Sequence, residues 1–392
     1  MTLAFDVLCF ASKEWRSHRQ RPHWVAAGLA EHGARVLFVE NMGTRLPQVR
    51  EAGRVAKKVE SWARTSARPP PRRTAEAVIV DSPLVVPLQH LAPVRAVGGR
   101  LLASRLSRRL RSDRPLVVWT YLPMPVVRDV AARLGASLLV YDWADDAATH
   151  VLSPSAAHRR RLARWEDEMA AAADLVLFSS AELQRRRGAA ARHGVLVPHG
   201  APPVRGGEAR PVPAVVADRP HPRVGFVGSI TEFTDLALIE AIAVARPEWT
   251  VLLVGPARVR LTRLRALPNV VITGEVPHDE VMAMLPALDA AFIAYRVTPA
   301  TSSASPIKVH EYLAYGLPVV SVDIPEVRSL APQVEIASEP EAFVAALDRA
   351  VAQGRRTGVG SRITWHQRVQ EMIGHVDDAL AAGMGAVARV PS

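Results

Sequence analysis

Short apolar runs recur along the chain, separated by stretches with helical periodicity: DVLCFAS from Asp6, RVLFVEN from Arg35, LVVWTYL from Leu116, SLLVYDW from Ser137 and DLVLFSS from Asp174. The runs are nearly continuous rather than alternating, as a parallel strand covered by helices on both faces should be. The pattern restarts with RVGFVGS from Arg223, TVLLVGP from Thr250, NVVITGEV from Asn269, AAFIAYR from Ala290 and PVVSVDIP from Pro318. Between the two series lies APPVRGGEARPVPAVVADRPHP from Ala201, too rich in Pro and Gly for a persistent helix or central strand. The expected fold class is therefore α/β, with two doubly wound, Rossmann-like domains: 1–205, a linker at 206–222, and 223–360. In residues 361–392, Trp365, Val369, Met372, Ile373 and Val376 share a helical face. That helix is expected to pack back on the N-terminal domain, followed by a frayed end.

The length supports this division, since 392 residues exceed what one hydrophobic core usually organises. No stretch reaches the roughly 18 to 20 apolar residues of a membrane-spanning helix. The opening MTLAFDVLCFAS lacks a basic leader and carries Asp6, so it reads as a first buried strand rather than an export signal. Cys9 is the single cysteine, which excludes an intramolecular disulfide framework and a multi-cysteine zinc site and points to a reducing cytoplasm. No metal-ligand cluster is expected elsewhere.

Forty-nine Lys and Arg against 38 Asp and Glu give a net charge of +11, which favours anionic partners. Nucleic acid is not expected: zinc-finger spacing, an RNP motif and a clustered aromatic stripe are all missing from the sequence. Two basic amphipathic stretches suit an anionic membrane surface instead. In the first, 53–73, Val55, Val59 and Trp62 share a face. In the second, 98–114, Leu102, Leu106 and Leu110 share a face among Arg105, Arg108, Arg109 and Arg111. The localisation expected is cytoplasmic or peripheral on the inner membrane face, although core-facing helices with solvated outer sides produce the same pattern.

The sharpest segment is SASPIKVHEYLAYGLPVVSVDIPEV, Ser303 to Val327. Pro306 suits the first helical turn, and Gly316 and Pro318 stop the helix. Its N-terminus offers free N–H groups and a positive dipole end to a diphosphate, with Lys308 adding full charge. Glu311 is placed to accept hydrogen bonds from ribose hydroxyls. A surface ion pair between Lys308 and Glu311 is the structural alternative.

This segment resembles the Pro-x-Lys-x-x-Glu-Tyr-Leu-Ala-x-Gly-x-Pro-Val-Val signature of group-1, family-4-like glycosyltransferases with the GT-B fold. RPHWVAAGLAEHGARVLFVEN, YDWADD, ADLVLFSSAEL, VPHG, FVGSI and NVVITGEVPHDEV fall in the matching order. The resemblance implies two domains across a cleft, with a nucleoside-diphosphate sugar as co-substrate on the C-terminal one and no separate cofactor or metal. It also implies retention of configuration and a lipid-linked, polysaccharide or small-molecule acceptor on the N-terminal domain, with bacterial polysaccharide or glycolipid synthesis expected and a soluble secondary metabolite such as an aminocyclitol as the alternative. Donor contacts are implied at Gly228, Ser229, Gly255, Val276, Ser305, Pro306, Ile307, Lys308 and Glu311, with Lys308 stabilising the leaving diphosphate. Gly225 reads as packing. The sequence departs from the family where Ser303 stands in place of a sugar-contacting glutamate, and no Arg and Lys pair follows the first C-terminal strand. A catalytically inactive, transferase-like binding protein is the competing class.

In the N-terminal domain Asp142, Asp145, Asp146 and His150 follow a strand end. Asp145 and Asp146 are candidates to orient an acceptor hydroxyl, Asp146 and His150 are candidate catalytic groups, and helix capping is the alternative. Trp15 and Arg16, in the basic loop SKEWRSHRQRPHW with Lys13, His18, Arg19, Arg21 and His23, are candidate acceptor contacts, while Trp24 is expected to pack on the sheet.

Overall fold

The computed structural model describes residues 3–42, 72–74, 77–83, 88–110, 113–146, 149, 155–203, 211–356 and 363–383. They form two sheets. The first contains β1 (Asp6–Phe10), β2 (Val36–Val39), β3 (Arg72–Arg73), β4 (Ile79–Asp81), β5 (Leu116–Thr120), β6 (Leu138–Trp143), β7 (Leu175–Phe178) and β8 (Gly194–Leu196). The second contains β9 (Arg223–Val227), β10 (Thr250–Val254), β11 (Val270–Gly274), β12 (Ala290–Ile293), β13 (Val319–Ser321) and β14 (Val334–Ile336). Their spatial orders are β3-β4-β2-β1-β5-β6-β7-β8 and β11-β10-β9-β12-β13-β14. Among these named strands, the β3–β4 pairing alone is antiparallel. All ten anticipated strands are present, and β3, β4, β8 and β14 are additional edge or near-edge strands.

Each sheet reverses its order once, between β1 and β5 and between β9 and β12. In an open parallel sheet the crevice beyond the strand carboxyl ends at such a reversal is where ligands bind. The loop after β1 and the turn after β9 are thus marked by topology as the two walls of a site.

Burial on both faces explains the continuous apolar runs. On β1, Val7 and Cys9 join one core cluster, while Leu8 and Phe10 join the cluster on the opposite face. The thiol of Cys9 is pushed well up by this burial, with Asp142 adding to the shift, so it is an inert packing group.

Helix Trp365–Ala381 starts at a capping box formed by Thr364 and Gln367. It places Trp365, Val369, Met372, Ile373 and Val376 in the N-terminal core. Helix Arg21–Glu31 approaches so closely that a Cβ on Gly28 would sit 2.8 Å from Cγ2 of Val369.

A run of rings fills the junction between the domains. His18 meets His278 edge-on at 4.8 Å, and His278 meets Trp24 at 6.4 Å. Trp24 stacks on Trp365 at 6.3 Å, His199 lies 5.7 Å from Trp365, and His310 lies 6.5 Å from His199. His18, Trp24 and His199 come from N-terminal loops or helix starts, His278 and His310 from the C-terminal domain, and Trp365 from the returning helix. Burial holds His18, His278 and His310 down at about 4, and His199 well below its ordinary value. Neutral rings pack in this layer; imidazolium ions would need desolvation.

The expected lipid face of the second basic stretch is corrected here. Leu102 and Leu106 lie in the N-terminal core, and Leu110 packs partly against it. Arg105 and Arg109 turn to Asp81 at the end of β4, at 2.7 and 3.5 Å, which pins helix Ala92–Ser107 to the sheet. Most of the first basic stretch, including Val55, Val59 and Trp62, lies outside the described residues.

Gly28→Ala is expected to overpack the contact with Val369 and cost about 1–3 kcal/mol, read as a lowered midpoint in thermal unfolding. The histidine layer sets a pH dependence. The unfolded chain binds protons near the ordinary histidine value of 6.5 that the native chain refuses until about 4, so native stability falls as pH drops through that window. Glu311, raised from 4.5 to about 7, acts oppositely, because the native state keeps its proton while the unfolded chain loses it. Asp142, Asp174 and Glu326, raised by burial, act in the same sense as Glu311 and offset part of the loss, while the histidine layer supplies a fall in melting temperature between pH 6.5 and 4.5. His18→Gln combined with His278→Gln should flatten that slope; an unchanged slope would contradict this origin.

Candidate functional site

The site is built on the carboxyl ends of β9 and β10 and on helix Ile307–Ala314. Gly228 and Gly255 end the two strands with φ of +129° and +134°, a region open to glycine but strained for other residues. Gly228 N–H donates to Val254 O at 2.7 Å. A Cβ on Gly255 would meet the Gly228 carbonyl oxygen at 2.5 Å, and one on Gly228 would meet Lys308 Nζ at 2.6 Å. The two turns therefore press backbone against backbone and leave the Lys308 ammonium directly beside the Gly228 turn. Gly225 does serve packing, since a Cβ there would lie 2.6 Å from Leu288 Cδ1.

Helix Ile307–Ala314 begins one residue later than expected, with Pro306 as its N-cap in extended conformation. Tyr312 fixes the helix to the sheet: Val227 N–H donates to its hydroxyl at 2.7 Å. Lys308 is 7% exposed, its ammonium 3.9 Å from the Phe226 ring centre and 5.0 Å from that of Tyr295. Cation–π attraction offsets part of its desolvation. Glu311 is 2% exposed, and burial raises it to about 7 although nearby Lys308 pulls the other way. The surface ion pair anticipated as the alternative is not what forms. Glu311 Oε1 and Ser305 Oγ are both buried without a hydrogen-bond partner among the described residues. Two buried polar atoms left without partners cost stability unless something else supplies them.

Of the remaining donor candidates, Ser229 is exposed at the turn, Val276 packs partly against the C-terminal core, and Ile307 reaches the N-terminal core cluster. His18, in the loop after β1, lies close enough to Lys308 for the two positive charges to oppose each other, which brings the N-terminal wall over the same point.

Ser303, where the resemblance implies a glutamate, is held from the other domain. Arg186 Nη1 donates to Ser303 Oγ and, at 3.0 Å, to Pro299 O. Ser180 Oγ donates to Ser303 O at 2.9 Å, and Ala181 N–H to Glu326 Oε2 at 3.1 Å. Helix Ala181–Arg187 thus closes against the loop that precedes the Lys308 helix.

The N-terminal candidates are dispersed. Asp146 is buried beside Arg187, which reaches its Oδ1 at 3.4 Å and also contacts Glu166 and Asp167. Asp145 and Arg16 are exposed, and His150 lies outside the described residues. The Trp15 ring packs edge-on against Phe38 at 4.9 Å, in the core cluster rather than toward the Lys308 group. Asp142 is a structural anchor: Arg21 Nε donates to it at 2.8 Å and Trp119 Nε1 at 3.2 Å, while Arg21 Nη1 ties Val197 O at 2.8 Å. Burial raises the Asp142 carboxyl and Arg21 opposes the shift.

His18, His199, His278 and His310 were the groups that sequence reasoning did not assemble. The available signal was position: His18, His199 and His278 each stand shortly after a strand, in the loops that meet across the cleft.

Residues 221–353 match the sequence model of the family described as glycosyl transferases group 1. A Bacillus subtilis (strain 168) protein named for teichuronic acid biosynthesis, the glycosyltransferase TuaH, is 33% identical over 138 residues, covering 33% of this chain and 35% of that protein. A GDP-mannose-dependent alpha-mannosyltransferase of Mycolicibacterium smegmatis (strain ATCC 700084 / mc(2)155) is 29% identical over 171 residues, covering 41% and 44%. The chain thus spans about a third to under a half of these relatives. Among solved structures, the sucrose-phosphate synthase of Thermosynechococcus elongatus superposes with a TM-score of 0.60 at 14% identity, covering 98% of each chain, which establishes the fold. Two doubly wound sheets meeting across a cleft give the chain the GT-B fold, and its C-terminal domain, with the signature helix on a glycine-lined floor, is similar to the group-1 glycosyl transferases.

Proposed function

We propose that this protein transfers a glycosyl group from a nucleoside-diphosphate sugar to an acceptor hydroxyl. The observation that carries the reading is the buried Lys308 ammonium beside the Gly228 turn, on a helix that also bears the unpartnered Glu311 Oε1 and is preceded by the unpartnered Ser305 Oγ. A diphosphate lying at the start of helix Ile307–Ala314 gives the buried ammonium the anion it lacks and accepts from Ser305 and the free backbone N–H groups. Glu311 then accepts from the ribose hydroxyls, which satisfies its orphaned oxygen and favours its ionised form.

In the reaction, the bond from the anomeric carbon to the diphosphate oxygen breaks as the acceptor oxygen bonds to that carbon. The acceptor proton passes to the departing phosphate oxygen. Lys308 and the helix dipole stabilise the charge that develops on the leaving group. Retention of configuration accords with the family resemblance.

A relative named for teichuronic acid biosynthesis supports reading the acceptor first as a polysaccharide or glycolipid, and one named as GDP-mannose-dependent supports GDP as the first base to test. Ser303 in place of the family's glutamate, held by Arg186, favours a second reading, a protein that binds nucleotide sugar without turning it over.

Thermal-shift measurement against UDP, GDP, TDP, ADP and CMP and their sugar conjugates should show one base class raising the midpoint. Lys308→Ala should weaken that ligand by about 1.5–3 kcal/mol, the worth of a hydrogen bond to a charged group. Glu311→Gln should weaken it while leaving the unliganded midpoint equal or higher, since a neutral group replaces a buried acid. No stabilisation of the folded protein by any nucleotide would defeat the proposal. Stabilisation without sugar transfer to any acceptor would select the second reading.

A further inference from the structure

Helix Ala92–Ser107 is apolar on two opposite sides. Gly99, Leu102, Ala103 and Leu106 are buried toward the N-terminal domain. Turned away from it, Val97 is 61% and Leu101 68% exposed, with Leu91 at the helix start 44% exposed. Pro93, Val94, Val97, Gly98 and Leu101 line a shallow apolar groove along this outer side. Positions 94, 97 and 101 follow helical spacing, so they form one ridge. Single exposed apolar residues need no explanation, but three of the seven strongly exposed large apolar side chains among the described residues belong to this one segment. A helix with apolar residues on both sides is expected to be covered on both.

Charge indicates what covers the outer side. Residues 91–110 contain Arg95, Arg100, Arg105, Arg108 and Arg109 and no acidic residue. Arg95 pairs with Asp129, and Arg105 and Arg109 with Asp81. Arg100 and Arg108 are exposed and make no ion pair among the described residues. Arg100 adjoins Leu101, and Arg108 lies two turns further along the same stripe. Unpaired cations flanking an apolar ridge match a layer with phosphate outside and hydrocarbon beneath, and match poorly a neutral protein surface. Sixteen residues interrupted by arginines are too short and too charged to cross a bilayer.

Position supplies a purpose. β4 runs toward the cleft and ends at Asp81, and the helix that follows runs back, so Leu91 and Val94 lie at the cleft end of the ridge. A surface held against the ridge brings its headgroups beside the mouth of the site. We propose that this ridge seats the N-terminal domain on an anionic lipid surface, with Val94, Val97 and Leu101 entering the headgroup boundary and Arg100 and Arg108 on lipid phosphates. The purpose rests on the transferase reading; the binding itself does not.

The test is co-sedimentation of the full chain with phosphatidylcholine vesicles, with and without phosphatidylglycerol. The unmodified protein should bind the anionic vesicles and lose binding as salt is raised. Val97→Asp with Leu101→Asp should reduce binding about tenfold or more, with circular dichroism and nucleotide-induced thermal shift unchanged. Arg100→Ser and Arg108→Ser should each weaken it about fivefold at low salt. Absence of binding to anionic vesicles, or equal binding by the ridge variant, overturns the proposal. So does a dimer in light scattering that Leu101→Asp converts to monomer, because a second copy would then be the occupant. Vesicle binding without any nucleotide response would leave the ridge standing and remove the transferase reading.

Discussion

A lysine ammonium buried between two aromatic faces, with no carboxylate in ion-pair range among the described residues, is the constraint around which the C-terminal half is arranged. Burying an unpaired charge is expensive. Phe226 and Tyr295 return about 0.5–2 kcal/mol of it, and Glu311 stands close without closing the pair. These requirements dictate much of the local sequence. Gly228 has no side chain because Lys308 Nζ occupies that space, and Gly255 has none because the Gly228 backbone does. Tyr312 holds the helix at the height that delivers Lys308 to this point. Such an arrangement leaves a buried charge without a carboxylate partner and a buried carboxyl oxygen without a hydrogen bond among the described residues.

Domain closure rests on different physics. In the N-terminal domain a buried Arg21–Asp142 pair binds the first helix, β6 and the end of β8 into one unit. Between domains, contact is made by neutral rings and by hydrogen bonds onto Pro299, Ser303 and Glu326, which lose less on separation than buried ion pairs would. His18 and Trp24 come from the N-terminal wall, His278 and His310 from the C-terminal domain, and Trp365 from the helix that returns across the junction. Arg186 and Ser180 add a polar clasp onto Ser303 and Pro299. The clasp involves Ser303, the position where the sequence departs from the signature it resembles, so that position takes part in how the domains meet.

The sequence by itself determined both parallel sheets, because strands buried on two faces must be apolar throughout and their connections must be helical. It determined the signature helix as well, because Pro306, Lys308, Glu311 and Gly316 lie within one continuous segment whose spacing is its geometry. Short edge strands such as β8 and β14 escaped, since three half-buried residues carry too little pattern. Tertiary structure alone decided the direction of side chains whose partners are distant in sequence. Asp142 lies within β6 and Asp146 just beyond its end, yet one is captured by Arg21 and the other by Arg187. Leu102 and Leu101 are adjacent leucines on a helix that is apolar on both sides, so periodicity could not say which of them faces the core. Packing against β4 and the Arg105–Asp81 bond made that choice, and it turned the unpaired arginines and the exposed ridge to the outside.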